Sequence, residues 1–261
     1  MALFLGIISS MTEALFTEKQ IQNIGTNAPL IGAIFDASGH MSIELGYTRK
    51  KLASGGVTRY SVVRAIMNYS DSRETKIYRL STMFGGFVTP LPASNSWRWE
   101  IRGQKALYIS DASGDYLPSR QKEYRAFRAL EGASDTAERI EIAKNWGSPE
   151  EEDTLPSIED YLKLLLNPLF LTGVFEARGF LYYRRGRSGL RDTDNPNIVI
   201  DTPRQPLLQA LQSMFDGSFE NLEDIPRRIR LGKTRTAGFL DIIKPHLLTP
   251  LSYYDTPSKF L

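Results

Sequence analysis

Ile31-Gly32-Ala33-Ile34-Phe35-Asp36-Ala37-Ser38-Gly39 and Leu171-Thr172-Gly173-Val174-Phe175-Glu176-Ala177-Arg178-Gly179 are two versions of one nine-residue pattern. Each starts apolar, has two small residues among its first three, continues with Phe, an acid and Ala, and closes on Gly. A strand-like run follows each copy. Further echoes keep the same order. Leu80-Ser81-Thr82-Met83-Phe84-Gly85-Gly86 matches Leu211-Gln212-Ser213-Met214-Phe215-Asp216-Gly217, Arg102-Gly103 matches Leu231-Gly232, and Tyr116-Leu117 matches His246-Leu247. Ordered self-similarity of this kind marks a duplicated unit, here about 100 residues long, near the common domain size.

Both copies read in the order αββαββα. A helix carries the motif and ends at the Gly, a residue suited to helix C-termini. Strands are expected at about 40–50 and 57–69, then at about 180–187 and 197–202, each pair followed by a helix at about 71–84 and 204–215. Gly85-Gly86 and Asp216-Gly217 stop those helices. A second strand pair is clearest at Trp97–Arg102 and Arg227–Leu231, and a further helix opens after Gly103 and after Gly232. Within the motif helices, Ala33 and Ala37 are four apart, as are Gly173 and Ala177, so each pair shares one face and lets two helices approach closely. The expected organisation is an N-terminal extension (1–26), a first repeat (27–131), an acidic linker (132–156), a second repeat (157–250) and a tail (251–261).

Composition narrows the chemistry. With no cysteine, disulfides, zinc fingers and cysteine catalysis are excluded, and a reducing compartment, cytoplasm or organelle, is expected. Two histidines, His40 and His246, make a His-ligated metal or a catalytic triad a poor expectation. The apolar start, Met1 to Ile8, lacks the basic flank of a signal peptide, and no run reaches the ~20 apolar residues of a membrane helix; no membrane partner is expected. Net charge is only +2, but residues 131–160 hold ten acids and two bases, which leaves 30 bases against 20 acids elsewhere. That acidic stretch, with Glu150-Glu151-Glu152-Asp153, reads as a solvated linker.

The bases collect on expected strands: Arg49, Lys50, Lys51, Arg59 and Arg64 in the first copy, Arg184, Arg185, Arg187 and Arg191 in the second, then Arg227, Arg228, Arg230 and Lys233. Tyr60, Trp97, Arg98 and Trp99 interleave with them. Arg and Lys neutralise phosphates, and two-stranded ribbons fit a major groove. These residues are the candidate nucleic-acid contacts.

The paired motif resembles the signature of the LAGLIDADG homing endonucleases, in the single-chain form with two copies, and the resemblance covers about residues 27–250. It implies an α+β fold of two pseudo-symmetric repeats, with antiparallel saddle-shaped sheets and motif helices packed at the repeat interface. It also implies a monomer with an internal pseudo-two-fold, binding DNA or structured RNA, rRNA and intron RNA included. In that family an acid at the eighth motif position of each copy holds divalent metal over the scissile phosphates. Here those positions are Ser38 and Arg178, so neither catalytic residues nor a metal are expected. A hydroxyl is a weak metal ligand, and a guanidinium repels cations. Asp36 and Glu176 lie two residues earlier, about 200° around the helix. The family's basic residue near the start of a late helix matches Arg120 in the first copy and falls near the uncharged Pro250 in the second. The leading expectation is a nucleic-acid-binding protein without cleavage activity, in a maturase-like, regulatory or rRNA-scaffold role. Two alternatives stand beside it: an active Mg-dependent endonuclease using Asp36 or Glu176, and a protein-binding scaffold.

Overall fold

The computed structural model describes residues 15–51, 55–146, 155–185, 191–222 and 225–254, with backbone alone at 51, 184–185, 191–195, 221–222 and 225–226. The described residues form helices α1 (Glu18–Thr26), α2 (Ala28–Ala37), α3 (Glu74–Phe84), α4 (Gln104–Ser113), α5 (Gln121–Gly132), α6 (Thr136–Asn145), α7 (Ile158–Leu165), α8 (Pro168–Arg178), α9 (Gln205–Phe215) and α10 (Lys233–Ile243). The strands are β1 (His40–Lys51), β2 (Val57–Asp71), β3 (Phe87–Leu91), β4 (Ser96–Arg102), β5 (Gly179–Arg185), β6 (Arg191–Asp201), β7 (Ser218–Leu222) and β8 (Ile225–Leu231). They make two antiparallel sheets of equivalent order, β1-β2-β4-β3 and β5-β6-β8-β7. The fold is α+β with two repeats.

Contacts divide the chain into two compact units. The first holds residues up to Ala28 and Gly39–Thr154; the second holds Pro29–Ser38 with Leu155–Leu261. The first motif helix, α2, therefore belongs to the unit built from the second copy.

In the first unit the inward face of the sheet carries Met41, Ile43, Ala65, Met67, Tyr69, Trp99 and Ile101, all buried. Trp99 packs on Phe84 at a centroid distance of 6.0 Å and its indole N–H donates to the Gly85 carbonyl at 2.7 Å. The helix stop works by backbone geometry. Gly85 (φ 76°) and Gly86 (φ 94°) are left-handed, and a Cβ on Gly86 would lie 2.7 Å from the Glu100 carbonyl oxygen. In the second unit Asp216 takes the same left-handed role at φ 50°. That explains the echo between Gly-Gly and Asp-Gly.

The second unit buries Leu181, Ile198, Ile200, Ile229 and Leu231 beneath its sheet. Phe239 meets Phe175 at 6.0 Å and Phe215 at 5.0 Å. Asn167 caps α8 by accepting from the Leu169 amide at 2.9 Å, with Pro168 in the first turn.

One expectation holds for a specific reason and another changes. Helix α8 ends at the closing Gly179, whose backbone is extended (φ −92°, ψ 149°), so the helix runs straight into β5. Glycine is required there by proximity, since a Cβ would fall 2.1 Å from the Phe175 ring. The acidic stretch read as a solvated linker holds a helix, α6, which packs on β1 and β2 of the first unit. Asp135 caps it, accepting from the Glu138 amide at 2.9 Å. Glu150–Asp153 lie outside the described residues, as do residues 1–14 of the N-terminal extension.

Candidate functional site

The motif helices pack together inside the second unit. A Cβ on Gly173 of α8 would lie 2.5 Å from the Leu30 carbonyl oxygen and 2.6 Å from Ala33 Cβ of α2. The helices thus meet backbone to backbone, as the small residues predicted.

Their C-terminal ends carry Ser38 and Arg178 at the eighth motif positions. Arg178 Nε donates to the Ala37 carbonyl at 3.0 Å, placing a guanidinium on the electronegative end of α2. Ser38 is half-buried. The two nearby acids have structural partners. Asp36 is buried and accepts from the Tyr161 hydroxyl at 2.8 Å. Glu176 is buried and accepts from the Leu248 amide at 2.6 Å. Each carboxylate ties a motif helix to another segment of the second unit. Among the described residues no three His, Asp or Glu side chains group so as to hold a metal ion. The donor set at these helix ends does not fit a divalent cation: one hydroxyl, one guanidinium and two engaged carboxylates. In the first unit, Arg120 donates to the Gly39 carbonyl at 2.6 Å and to Glu123 at 3.1 Å.

Strand register sorts the basic residues by face. In the first sheet, the face turned from the core carries Lys50, Thr58, Tyr60, Arg64, Arg98 and Arg102, because Lys50 pairs Thr58, Thr48 pairs Tyr60, Glu44 pairs Arg64, and Ser70 pairs Arg98. Arg102 is bound to Glu100 on that face. Lys50, Arg64 and Arg98 make no ion pair among the described residues, and Arg98 Nε is buried without a hydrogen-bond partner there.

Four predicted contacts of the first sheet lie on its other face. Trp99 is fully buried in the core. Trp97 packs on Tyr78 at 5.7 Å. Arg59 lies over the Tyr47 ring at 5.3 Å, and Arg49 pairs with Arg59 in register. The run Ser96-Trp97-Arg98-Trp99-Glu100-Ile101-Arg102 alternates cleanly, aromatic or aliphatic inward and charged outward. That alternation was the available signal for excluding both tryptophans and including Arg102.

The second sheet presents Tyr182, Asp201, Glu220, Arg228 and Arg230 outward. Arg228 Nε lies 2.7 Å from Asp201, and Arg230 pairs with Glu220 at 2.5 Å while stacking over Tyr182 at 4.9 Å. Arg227 is exposed, with the opposite strand parity. Lys233 starts α10 and faces a groove rather than the sheet. Arg184, Arg185 and Arg191 fall on β5 and β6 and Lys51 on β1, but their side chains lie outside the described residues, as does all of Arg187.

Two equivalent α+β units, each with a four-stranded antiparallel sheet, and two motif helices in backbone contact decide the architecture. The fold is that of the LAGLIDADG homing endonucleases. The chain is similar to the LAGLIDADG homing endonuclease I-GzeII in complex with its DNA target (TM-score 0.56, 11% identity, 87% of this chain and 86% of that one). It is also similar to I-SmaMI bound to cleaved DNA (TM-score 0.55, 13% identity, 84% and 83%) and to I-SmaMI on uncleavable DNA (TM-score 0.53, 14% identity, 89% and 85%). No protein-family model matches the sequence. A local likeness of 33% over 81 residues relates it to a glucose-1-phosphate adenylyltransferase of Cutibacterium acnes, of whose length the chain spans a fifth. That stretch carries no activity across. No described helix is long and apolar enough to cross a membrane.

Proposed function

We propose that this protein grips a nucleic-acid backbone with the outward faces of its LAGLIDADG-type sheets and does not cut it. The observation that carries the loss of cleavage is the Arg178 guanidinium seated on the Ala37 carbonyl, at a motif position where an acid would be needed to hold a metal. Binding is supported by Lys50, Arg64 and Arg98, three cations on one face without an ion-pair partner among the described residues. It is supported too by DNA-bound relatives of the same fold. DNA and structured RNA share the phosphate chemistry this face reads. Whether the role is that of a maturase, a regulator or an rRNA-associated scaffold follows from the nucleic acid that co-purifies, which sequencing identifies.

The test is binding of labelled duplex DNA and structured RNA across a salt series, with parallel incubation in Mg²⁺ or Mn²⁺. We expect salt-dependent binding and no metal-dependent nicking. Site-specific nicking that disappears in Asp36→Ala or Glu176→Ala would establish the endonuclease alternative. No retention of either nucleic acid at low salt would leave the protein-scaffold reading standing.

A further inference from the structure

The two units share one sheet order and the helix that follows each strand pair, so the surfaces of those elements have counterparts. Ile229 and Leu231 pair with Ile200 and Ile198 as Trp99 and Ile101 pair with Tyr69 and Met67. This register sets α10 opposite its counterpart α4 and aligns Leu231 with Ile101, one place before the Arg102 that the sequence echo suggests. In the first unit the flank of α4 is covered by the chain itself. Helix α5 lies along it: Phe127 and Leu130 are buried, Arg128 pairs with Asp111, and the Tyr124 ring sits so close to Gly114 that a Cβ there would be 2.5 Å away.

In the second unit no described helix takes that place. After α10 and a short turn, a single turn at Leu251–Tyr254 drives Tyr254 into the core, 5.0 Å from Phe175. Beside it remains a groove of about 330 Å³, floored by Leu181, Leu240 and Leu251 and edged by Lys233, Asp241 and Lys244. Two counterparts of its lining are sealed in the first unit. Leu107 is buried where Ala237 is exposed, and Gly114 is buried where Lys244 is exposed.

We propose that this groove is a docking site for an amphipathic helix of a protein partner, seated on α10 as α5 is seated on α4. The charges specify the partner. Asp241 stands at the counterpart of Asp111, so it takes a basic side chain at the place of Arg128. Lys244 replaces Gly114, so the place of Tyr124 takes an acid. The ridge of Phe127 and Leu130 remains apolar. The partner therefore reads acid, apolar three residues on, basic at the next position and apolar two beyond that. From Lys233 to Lys244 α10 rises about 16 Å, so three turns of partner helix fill the groove. Burying a helix ridge in a groove is a recurrent recognition mode, and this surface is separate from the sheet faces proposed for nucleic acid.

The probe is a synthetic peptide of residues 120–132 carrying Y124E, titrated onto the full chain and followed by anisotropy and amide chemical shifts. Saturable binding is expected, with shifts confined to α10, β5 and the Leu251 turn. Lys244→Glu, an exposed change at the C-terminal end of α10 that should lower the melting temperature only slightly, should weaken it at least tenfold, and a Y124K peptide should recover the affinity for that variant. Absence of saturable binding, or equal binding to parent and Lys244→Glu, overturns the proposal. So does binding that appears only after residues 255–261 are removed, because the chain's own tail would then be the occupant.

Discussion

Arg98 of the first sheet stands in register with Ser70 and Thr89; its counterpart in the second, Arg228, stands in register with Asp201 and Glu220. The same backbone lattice therefore delivers an available cation in one unit and a neutralised one in the other. Total charge along a strand does not measure the charge offered to a ligand. The ion pairs it has formed do: Arg228 is bound to Asp201, whereas Arg98 faces only hydroxyls across the sheet, and a cation already paired is withheld from a ligand.

The contrast recurs at the junction of the second strand with the helix after it. In the first unit Tyr69, Asp71, Arg73 and Lys76 form a buried ionic network: Lys76 Nζ lies 2.5 Å from Asp71 Oδ2 and donates to the Tyr69 hydroxyl at 2.9 Å, while Arg73 binds Asp71 through two bonds of 2.8 Å. In the second unit the same places hold Ile200, Thr202, Arg204 and Leu207, and Thr202 accepts from the Arg204 amide at 3.3 Å. Burial alone would raise the Asp71 carboxyl, yet Lys76 and Arg73 hold it far below the usual carboxylate range.

The largest effect follows from that difference. Asp71→Ala leaves Lys76 buried without its carboxylate and should cost about 3–5 kcal/mol, whereas Thr202→Ala should cost about 1 kcal/mol. Grafting the second unit's residues onto the first (Tyr69→Ile, Asp71→Thr, Lys76→Leu together) should restore or exceed parental stability, since apolar packing often equals a buried ion pair. Linkage supplies a separate reading. A carboxylate depressed on folding stabilises above its unfolded pKa of about 3.9, and that contribution fades as pH falls below it. The parent should therefore lose stability below about pH 4 more steeply than the graft. Denaturant melts at pH 7 and pH 3 check both, and parallel acid profiles would remove the ionic account.

A second contrast sets the motif helices side by side. Gly173 touches the Leu30 carbonyl and Ala33, while Ala177 one turn later is half-buried. Gly173→Leu should cost about 1–3 kcal/mol or more by overpacking, and Ala177→Leu clearly less. Equal melting of the two variants would deny the backbone contact its role.

How far the sequence revealed this follows from the range of each signal. The duplicated motif and the glycine stops are local patterns, and they carried the fold. Alternation along Trp97–Arg102 is local too, and it turns Trp97 and Trp99 inward where their residue type alone suggests nucleic-acid contacts. The helix at Thr136–Asn145 was masked by its acids, although Asp135 followed by Glu138 is a helix-start signal. Neutralisation of Arg228 by Asp201 joins residues 27 apart. It depends on strand register, which no spacing in the sequence gives.

The third contrast compares the sheets directly. Replacing Lys50, Arg64 and Arg98 by Ala should weaken nucleic-acid binding and flatten the salt slope by up to about 2.7 on duplex DNA, roughly 0.9 for each phosphate no longer neutralised. Arg228→Ala with Arg230→Ala should flatten it far less, because those cations are already paired. Equal losses would mean that both faces act as one diffuse field.

The smallest effect tests neutralisation by its opposite sign. Glu220 holds Arg230, whose guanidinium also lies over Tyr182. Both partners are about one-third exposed, so the ion pair itself contributes little to stability, about 0–1 kcal/mol. Glu220→Gln keeps the shape and removes the charge. It should leave the melting temperature nearly unchanged, strengthen binding a few-fold at low salt and steepen the salt slope by about 0.9, the value for one phosphate, as Arg230 becomes available to the backbone. The gain should vanish when Arg230→Ala is added. A Glu220→Gln variant that binds no better than the parent would show that the second sheet does not meet the nucleic acid at β7 and β8.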